Sequence, residues 1–327
     1  MIRWVLVMAI SLLSACAPRI QEPGPAIVEP TLGPDAFLAA DGTKLPLRTW
    51  ESETPPAAIA LAVHGFNDYS NSYADLGAYL AQNGITVYAY DQRGFGETNH
   101  RGLWPGADAL ADDLSAIARE IRAKHPQIPL VVMGESMGGA VVMVAMARPD
   151  PPPADALVLF APAVWGRETM PWYQRAALAV ASHTVPWLRL TGEGLRIRAS
   201  DNNEMLRALG RDPLFIKKTR VDALHGITNL MDKALAAAKR LKSPALILYG
   251  EKDEIIPRRP TFRMLDQLPN DDGDGEKRIA LYENGYHMLF RDLDREIVWR
   301  DVVSWVGDRQ ASLPSGADAH AKAVRAR

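Results

Sequence analysis

A single cysteine, Cys16, occurs in 327 residues, which excludes an internal disulfide framework. No apolar run reaches the ~20 residues that a membrane-spanning helix requires. Charge of one sign is also missing: 37 Lys and Arg stand against 39 Asp and Glu, a formal net charge of -2. With no Lys/Arg-rich run either, nucleic acid is not an expected partner. Cysteine, histidine and carboxylate residues form no ligand-spaced cluster, so neither a metal nor an organic cofactor is implied. What remains is 47% hydrophobic and 23% charged. That composition buries a full core, as one large α/β domain or as one domain with an insertion.

The N-terminus follows a logic of its own. Arg3 supplies a positive start, and Trp4 to Leu13 is an apolar stretch too short to span a bilayer but suited to a signal-peptide core. Leu13-Ser14-Ala15-Cys16 resembles the bacterial lipobox, in which the signal is cut before a cysteine that becomes the lipidated N-terminus. Residues 1–15 are thus expected to be a lipoprotein signal peptide and Cys16 a lipid anchor rather than a catalyst. Ala17 follows Cys16 where an aspartate would favour inner-membrane retention, so the expectation is an exported protein on the outer membrane facing the periplasm. Residues 16–34 carry Pro18, Pro23, Pro25, Pro30 and Pro34 with little apolar periodicity, which predicts an extended tether. At the far end, residues 308–327 lack an apolar face and read as a mobile tail.

Between these ends strand and helix patterns alternate. Phe37 to Trp50 reads as a hairpin turning at Asp41-Gly42. Ala57 to Val63, Ile85 to Tyr90, Leu130 to Met133, Ala156 to Phe160, Ala245 to Tyr249 and Arg278 to Tyr282 read as short buried strands, most of them separated by helices. The pattern predicts an α/β fold: a mostly parallel sheet with helices on both faces, its core divided between residues 35–161 and 243–307. The intervening 162–242 is largely helical and offers the sheet no clear strand, so it reads as an inserted cap. Its Trp165, Met170, Trp172, Tyr173, Trp187, Leu188 and Leu190 predict an apolar pocket over the strand ends.

Gly134-Glu135-Ser136-Met137-Gly138-Gly139 sits between the strand ending at Met133 and a helix-like stretch from Ala140. That is the G-x-S-x-G nucleophile elbow in its required context, a sharp turn that lifts one hydroxyl clear of the backbone. A serine nucleophile needs a base, and the base needs an acid to orient it, in the chain order Ser, Asp or Glu, His. Of seven histidines, His64 and His100 precede Ser136, His125 ends a helix, His183 and His225 lie in the cap and His320 in the tail. His287 alone follows the last strand, where a loop reaches the nucleophile. The acid comes from Glu251, Asp253 or Glu254, which share the loop after the strand Ala245 to Tyr249. Oxyanion donors are expected from the Met137 N–H and from His64-Gly65-Phe66-Asn67, where Phe66 is the second donor and His64 a structural turn residue.

These motifs together resemble the α/β-hydrolases grouped with monoacylglycerol lipases, lysophospholipases and the serine aminopeptidase group. The likeness spans roughly Phe37 to Val306 and is carried by His64-Gly65 with Ser70 and Tyr73, Tyr90 to Gly96, Gly134 to Gly139, Gly250 to Asp253 and Gly285-Tyr286-His287. The resemblance favours Asp253 as the acid and marks Asp91 and Arg93 as structural. It implies ester hydrolysis more than peptide cleavage, on a monoacylglycerol, a lysophospholipid or another acyl ester at a membrane. Where many members carry a His-Ser pair this chain has Tyr69-Ser70, a departure that bears on headgroup recognition. A short-chain esterase, an acyltransferase and a non-catalytic anchored binding protein share the same architecture.

Overall fold

A computed structural model describes residues 17–192, 194, 197–269 and 277–326. Cys16 and the signal-peptide segment lie outside the described residues. The strands are β1 Thr31–Leu32, β2 Ala36–Leu38, β3 Lys44–Trp50, β4 Ala58–Val63, β5 Ile85–Tyr90, β6 Leu130–Glu135, β7 Ala156–Phe160, β8 Arg189–Leu190, β9 Thr219–Arg220, β10 Ala245–Gly250 and β11 Lys277–Tyr282. The helices are α1 Ala74–Gln82, α2 Ala107–Lys124, α3 Met137–Met146, α4 Trp172–Thr184, α5 Asn203–Arg211, α6 Val221–Ala237, α7 Arg258–Gln267, α8 Arg295–Gly307 and α9 Ala317–Arg325.

Nine strands form one sheet in the order β1-β2-β3-β5-β4-β6-β7-β10-β11. From β5 to β11 every pairing is parallel, while β1, β2 and β3 add an antiparallel edge. The reason lies in the side chains. On β4, Ile59, Leu61 and Val63 enter one hydrophobic layer beneath α2, α3 and α6, and Ala58, Ala60 and Ala62 enter the other beneath α1 and α8. A strand apolar on both faces must be covered on both, and the helical crossovers supply that cover.

The segment 162–242 divides in two. Its first part holds α4, α5 and the separate ribbon β8-β9, and touches the loops at the strand ends through Asp212, Thr219 and Ser200. From Val221 onward it is core: Leu230, Ala234 and Leu235 of α6 join the layer that holds Val141 and Val142 of α3. Of the apolar cap residues, Trp165 packs partly buried against the core and Met170 is half-buried, but the other five are exposed. Trp172 is 73% exposed and Tyr173 58%, because α4 buries only Ser182, and beyond the helix Trp187 is 53% exposed with Leu188 and Leu190 also in solvent.

Both chain ends differ from expectation. The proline-rich stretch is docked from Ile20 onward: Gln21 N–H donates to Trp104 O at 2.8 Å and β1 pairs with β2. Backbone pairing holds it, which apolar periodicity does not register. The C-terminal residues form α9 on the sheet edge. Small Ala317 and Ala321 pack there, and Arg278 Nη1 donates to Asp318 Oδ2 at 3.0 Å in a buried pair.

Candidate active site

The C-terminal ends of four parallel strands converge where an open α/β sheet places its crevice. The β4 end leads into 64–68, β6 into Ser136, β10 into 251–253 and β11 into 283–287.

Ser136 holds φ 50 and ψ -112, a strained conformation for a residue with a Cβ. Its surroundings enforce that turn. The Ser136 N–H donates to Phe160 O at 2.9 Å, and its carbonyl accepts from Ala163 N–H at 2.8 Å and Ala140 N–H at 3.0 Å. A Cβ on Gly134 would lie 2.6 Å from the Gly138 backbone, and one on Gly138 only 2.0 Å from Val63 O. Only glycine at both positions lets α3 start this close to β4. Met137 opens α3, so its N–H has no acceptor within the helix and forms part of the positive end of the helix dipole.

The turn after β4 flanks the same serine: a Cβ on Gly65 would lie 3.6 Å from Ser136 Cβ. Phe66 is anchored edge-on to Phe95 and Trp104, which leaves the backbone of the turn beside Ser136. His64 is fully buried and structural. Its Nε2 accepts the Gln92 N–H at 3.0 Å, so the proton belongs on Nδ1, which donates to Gly65 O at 2.8 Å. Burial lowers its pKa and keeps the ring neutral.

The β10 and β11 loops are stitched together. Glu251 N–H donates to Tyr282 O at 2.9 Å and Lys252 N–H to Gly285 O at 3.0 Å. This brings Asp253 to His287, whose Nδ1–H donates to Asp253 Oδ2 at 2.8 Å. The other oxygen, Oδ1, accepts from Ile255 N–H at 2.8 Å and Ile256 N–H at 2.9 Å, which fixes the carboxylate plane. Its two competitors face elsewhere: Glu251 accepts from His320 Nε2 at 2.9 Å, and Glu254 accepts the Arg198 N–H. Burial of His287 disfavours its charged form, yet the Asp253 carboxylate outweighs it and raises the imidazole pKa above the ordinary value.

Asp91 and Arg93 brace the turns behind the site. Asp91 accepts from the Ser70 N–H and Oγ–H and from the Glu97 N–H, while Arg93 bridges Asp113 and Asp41.

Several contacts had no signal in local sequence. Tyr69 Oη donates to Asp212 Oδ2 at 2.7 Å and Asn67 Nδ2 to Thr219 Oγ1 at 2.7 Å, so the departure at Tyr69 ties the turn after β4 to the cap. Asp292 accepts from Ser200 Oγ at 2.6 Å and from the Tyr286 N–H at 2.7 Å, joining the cap to the histidine loop. Burial pushes this carboxyl up to about 6. Both links pair residues far apart in the chain, beyond the reach of periodicity or spacing.

A family profile described as serine aminopeptidase, S33, matches residues 54–294. The chain is 27% identical over 292 residues to a monoacylglycerol lipase of Mycolicibacterium smegmatis, covering 86% of this chain and 99% of that one. It is 25% identical over 281 residues to a monoglyceride lipase of Rattus norvegicus, covering 84% and 90%. Among solved structures, a soluble variant of the Saccharomyces cerevisiae monoglyceride lipase, in complex with a substrate analog, superposes with a TM-score of 0.70 at 20% identity, covering 90% of this chain and 98% of that one. The Paleococcus ferrophilus monoacylglycerol lipase gives 0.65 at 24%, covering 80% and 98%. The two structures share the α/β-hydrolase fold seen here. With the profile spanning most of the chain, the protein belongs to the serine aminopeptidase S33 family of α/β-hydrolases and is a serine hydrolase.

Proposed function

We propose that the protein hydrolyses acyl esters of the monoacylglycerol or lysophospholipid type through Ser136, His287 and Asp253. The observation that carries this reading is the His287–Asp253 pair at adjacent strand ends, on the same edge of the sheet as a serine in a strained elbow. Ser136 Oγ bonds to the acyl carbon as its proton passes to His287 Nε2, and Asp253 holds the imidazole in the tautomer with the proton on Nδ1. The Met137 and Phe66 N–H groups receive the oxyanion. The bond to the alcohol oxygen then breaks, and His287 returns the proton to that oxygen. Water repeats the sequence in reverse roles and frees the fatty acid and Ser136. Relatives named monoacylglycerol and monoglyceride lipases support the substrate class. So does the exposed apolar cap, a surface suited to substrates held in a lipid layer.

Turnover of p-nitrophenyl octanoate and of monoacylglycerol, with and without added glycerol, tests this reading. Free fatty acid is the expected product. New esters formed with glycerol would assign acyl transfer instead, and no turnover of any ester would contradict the reading.

The pH dependence follows from His287. Only its neutral form accepts the serine proton, and Asp253 raises its pKa. Activity is therefore expected to be full at alkaline pH and to fall as pH drops through a midpoint above the ordinary histidine value of about 6.5. Asp253→Asn removes the anion, so the surviving activity should show that midpoint at lower pH. A pH series of kcat/KM checks both.

We also propose anchoring through a lipid on Cys16, with export to the outer membrane facing the periplasm. Because the body is docked from Ile20 onward, only residues 17–19 separate the anchor from it. At 3.3–3.6 Å per residue that span is about 10 Å, which would seat the body directly on the bilayer. Cys16→Ala should abolish labelling by a clickable palmitate analogue and release the protein from the membrane fraction. Unchanged labelling and fractionation would contradict the anchor.

A further inference from the structure

Three buried charges, none of them among Ser136, Asp253 and His287, meet at one guanidinium. Arg291 closes the short turn Leu289–Arg291 that follows His287. Its Nη2 donates to Asp68 Oδ2 at 2.7 Å and lies 3.7 Å from Glu135 Oε1. Asp68 ends the oxyanion turn, and Glu135 immediately precedes Ser136. All three are withdrawn from water: Asp68 and Glu135 are each 2% exposed, and the Arg291 side chain 11%. The site's three segments, the oxyanion turn, the elbow and the histidine loop, thus each contribute one ionisable group to one cluster.

The contacts leave little slack. Asp68 Oδ1 accepts the Tyr69 N–H at 2.9 Å, so pulling on Asp68 pulls on the turn's backbone. Neither Glu135 oxygen has a hydrogen-bond partner and burial raises its pKa, so the Arg291 guanidinium 3.7 Å away is the foremost charge opposing that rise. Glu135 Oε2 in turn sits 3.3 Å from the position a Cβ would take on Gly65, directly under the oxyanion turn. Burial disfavours the Arg291 charge, but Asp68 and Glu135 outweigh it and hold the guanidinium firmly protonated.

Stability alone does not call for such a cluster. A buried ion triad loses much hydration, and apolar residues of similar volume often serve a fold equally well or better. We propose that Arg291 is a positioning residue, which sets the oxyanion turn and the nucleophile elbow against the histidine loop through Asp68 and Glu135. This inference rests on the ester-hydrolase reading above. A misplacement of about 1 Å between reacting groups costs on the order of 100-fold in rate, so the cluster's effect belongs in kcat.

The test replaces the triad by neutral residues of similar shape, Asp68→Asn with Glu135→Gln and Arg291→Met, so that no buried charge is left unpaired. Three quantities are read: the thermal midpoint, kcat and KM for p-nitrophenyl octanoate, and the affinity for octylboronic acid, which forms a tetrahedral adduct with the serine. The expected result is a midpoint equal to or above wild type, kcat lower by about 30-fold or more, KM within about threefold and boronate affinity falling with kcat. A merely structural cluster would not move kcat and boronate affinity at an unchanged midpoint. Should the triple variant not fold, Asp68→Asn alone leaves Arg291 with Glu135 and is held to the same pattern. An active wild type beside a variant with wild-type kcat and boronate affinity overturns this inference alone. A wild type without ester turnover overturns it together with the reading it rests on.

Discussion

Ser136→Ala is expected to lower ester turnover by at least 10⁴-fold, the scale on which single members of a serine triad act. At about 1.36 kcal/mol per tenfold, that is roughly 5.5 kcal/mol of transition-state stabilisation. The loss is chemical because the substitution removes one oxygen and keeps the Cβ. The elbow's hydrogen bonds from Ser136 N–H to Phe160 O and from Ala163 N–H to Ser136 O are backbone bonds, which alanine preserves. Gly134 and Gly138 still allow α3 its close approach to β4. The thermal midpoint should therefore stay within a few degrees of wild type while turnover disappears. A variant that keeps a tenth of the activity would assign the nucleophile elsewhere.

Arg93→Met should produce the largest loss of stability, about 3–5 kcal/mol, the cost of stripping the cation from a buried ion pair. Arg93 donates to Asp113 Oδ2 at 2.6 Å and Oδ1 at 2.9 Å, and to Asp41 Oδ2 at 2.7 Å, with only 11% of its side chain exposed. Methionine fills the space and leaves two carboxylates unpaired. The pH dependence has a definite sign. Burial raises the Asp113 carboxyl to about 6 even with Arg93 present, against about 3.9 when unfolded. A carboxyl raised on folding costs stability above its folded pKa and ceases to cost it as protonation neutralises it. Asp41 behaves oppositely: burial raises it, but Arg93 and Thr43 win and hold it below the usual range, a contribution present above about pH 4 and lost with Arg93. The deficit of the variant should thus be larger at pH 8 than at pH 5.5, read as urea midpoints at the two values. An equal deficit at both would mean that packing, rather than charge, is what Arg93 supplies.

How much of this was legible in the sequence depends on the range of each interaction. Val131 and Val132 of β6 are apolar on both faces of a buried strand, a pattern that local composition carries in full. The strand-end positions of Ser136, Asp253 and His287 were legible for a related reason: in a parallel sheet, the loop after each strand returns to the same edge. The choice of Asp253 over its neighbours came with the family resemblance, and the structure supplies its physical reason. That reason is Oδ1 being tied to Ile255 and Ile256 while Glu251 turns to His320, a distinction of direction within one loop.

What escaped was held by backbone pairing or by charges distant in sequence. The proline-rich stretch docks through its own N–H groups, Gln21 on Trp104 O and Ile27 and Val28 on Ala40 O. The C-terminal helix is held by Arg278 and Asp318 across a face of small alanines, which has too little bulk to read as a core. The boundary at Val221 was hidden because α6 is one more helix in a largely helical segment, and only its contact with α3 makes it part of the core. The apolar cap residues were visible, but their direction was not, since a helix covered on one side and a helix over a cavity share the same composition. Asp68, Glu135 and Arg291 meet only once the sheet has aligned the three loops that carry them.

The central claim is tested most directly by incubating the folded protein with a fluorophosphonate and locating the adduct by peptide mass spectrometry. One phosphonyl group on Ser136, formed faster as pH rises through the His287 midpoint and absent after His287→Ala, is the predicted result. A protein that stays unlabelled, or carries the adduct on another residue, would contradict the assignment of Ser136 as the nucleophile activated by His287.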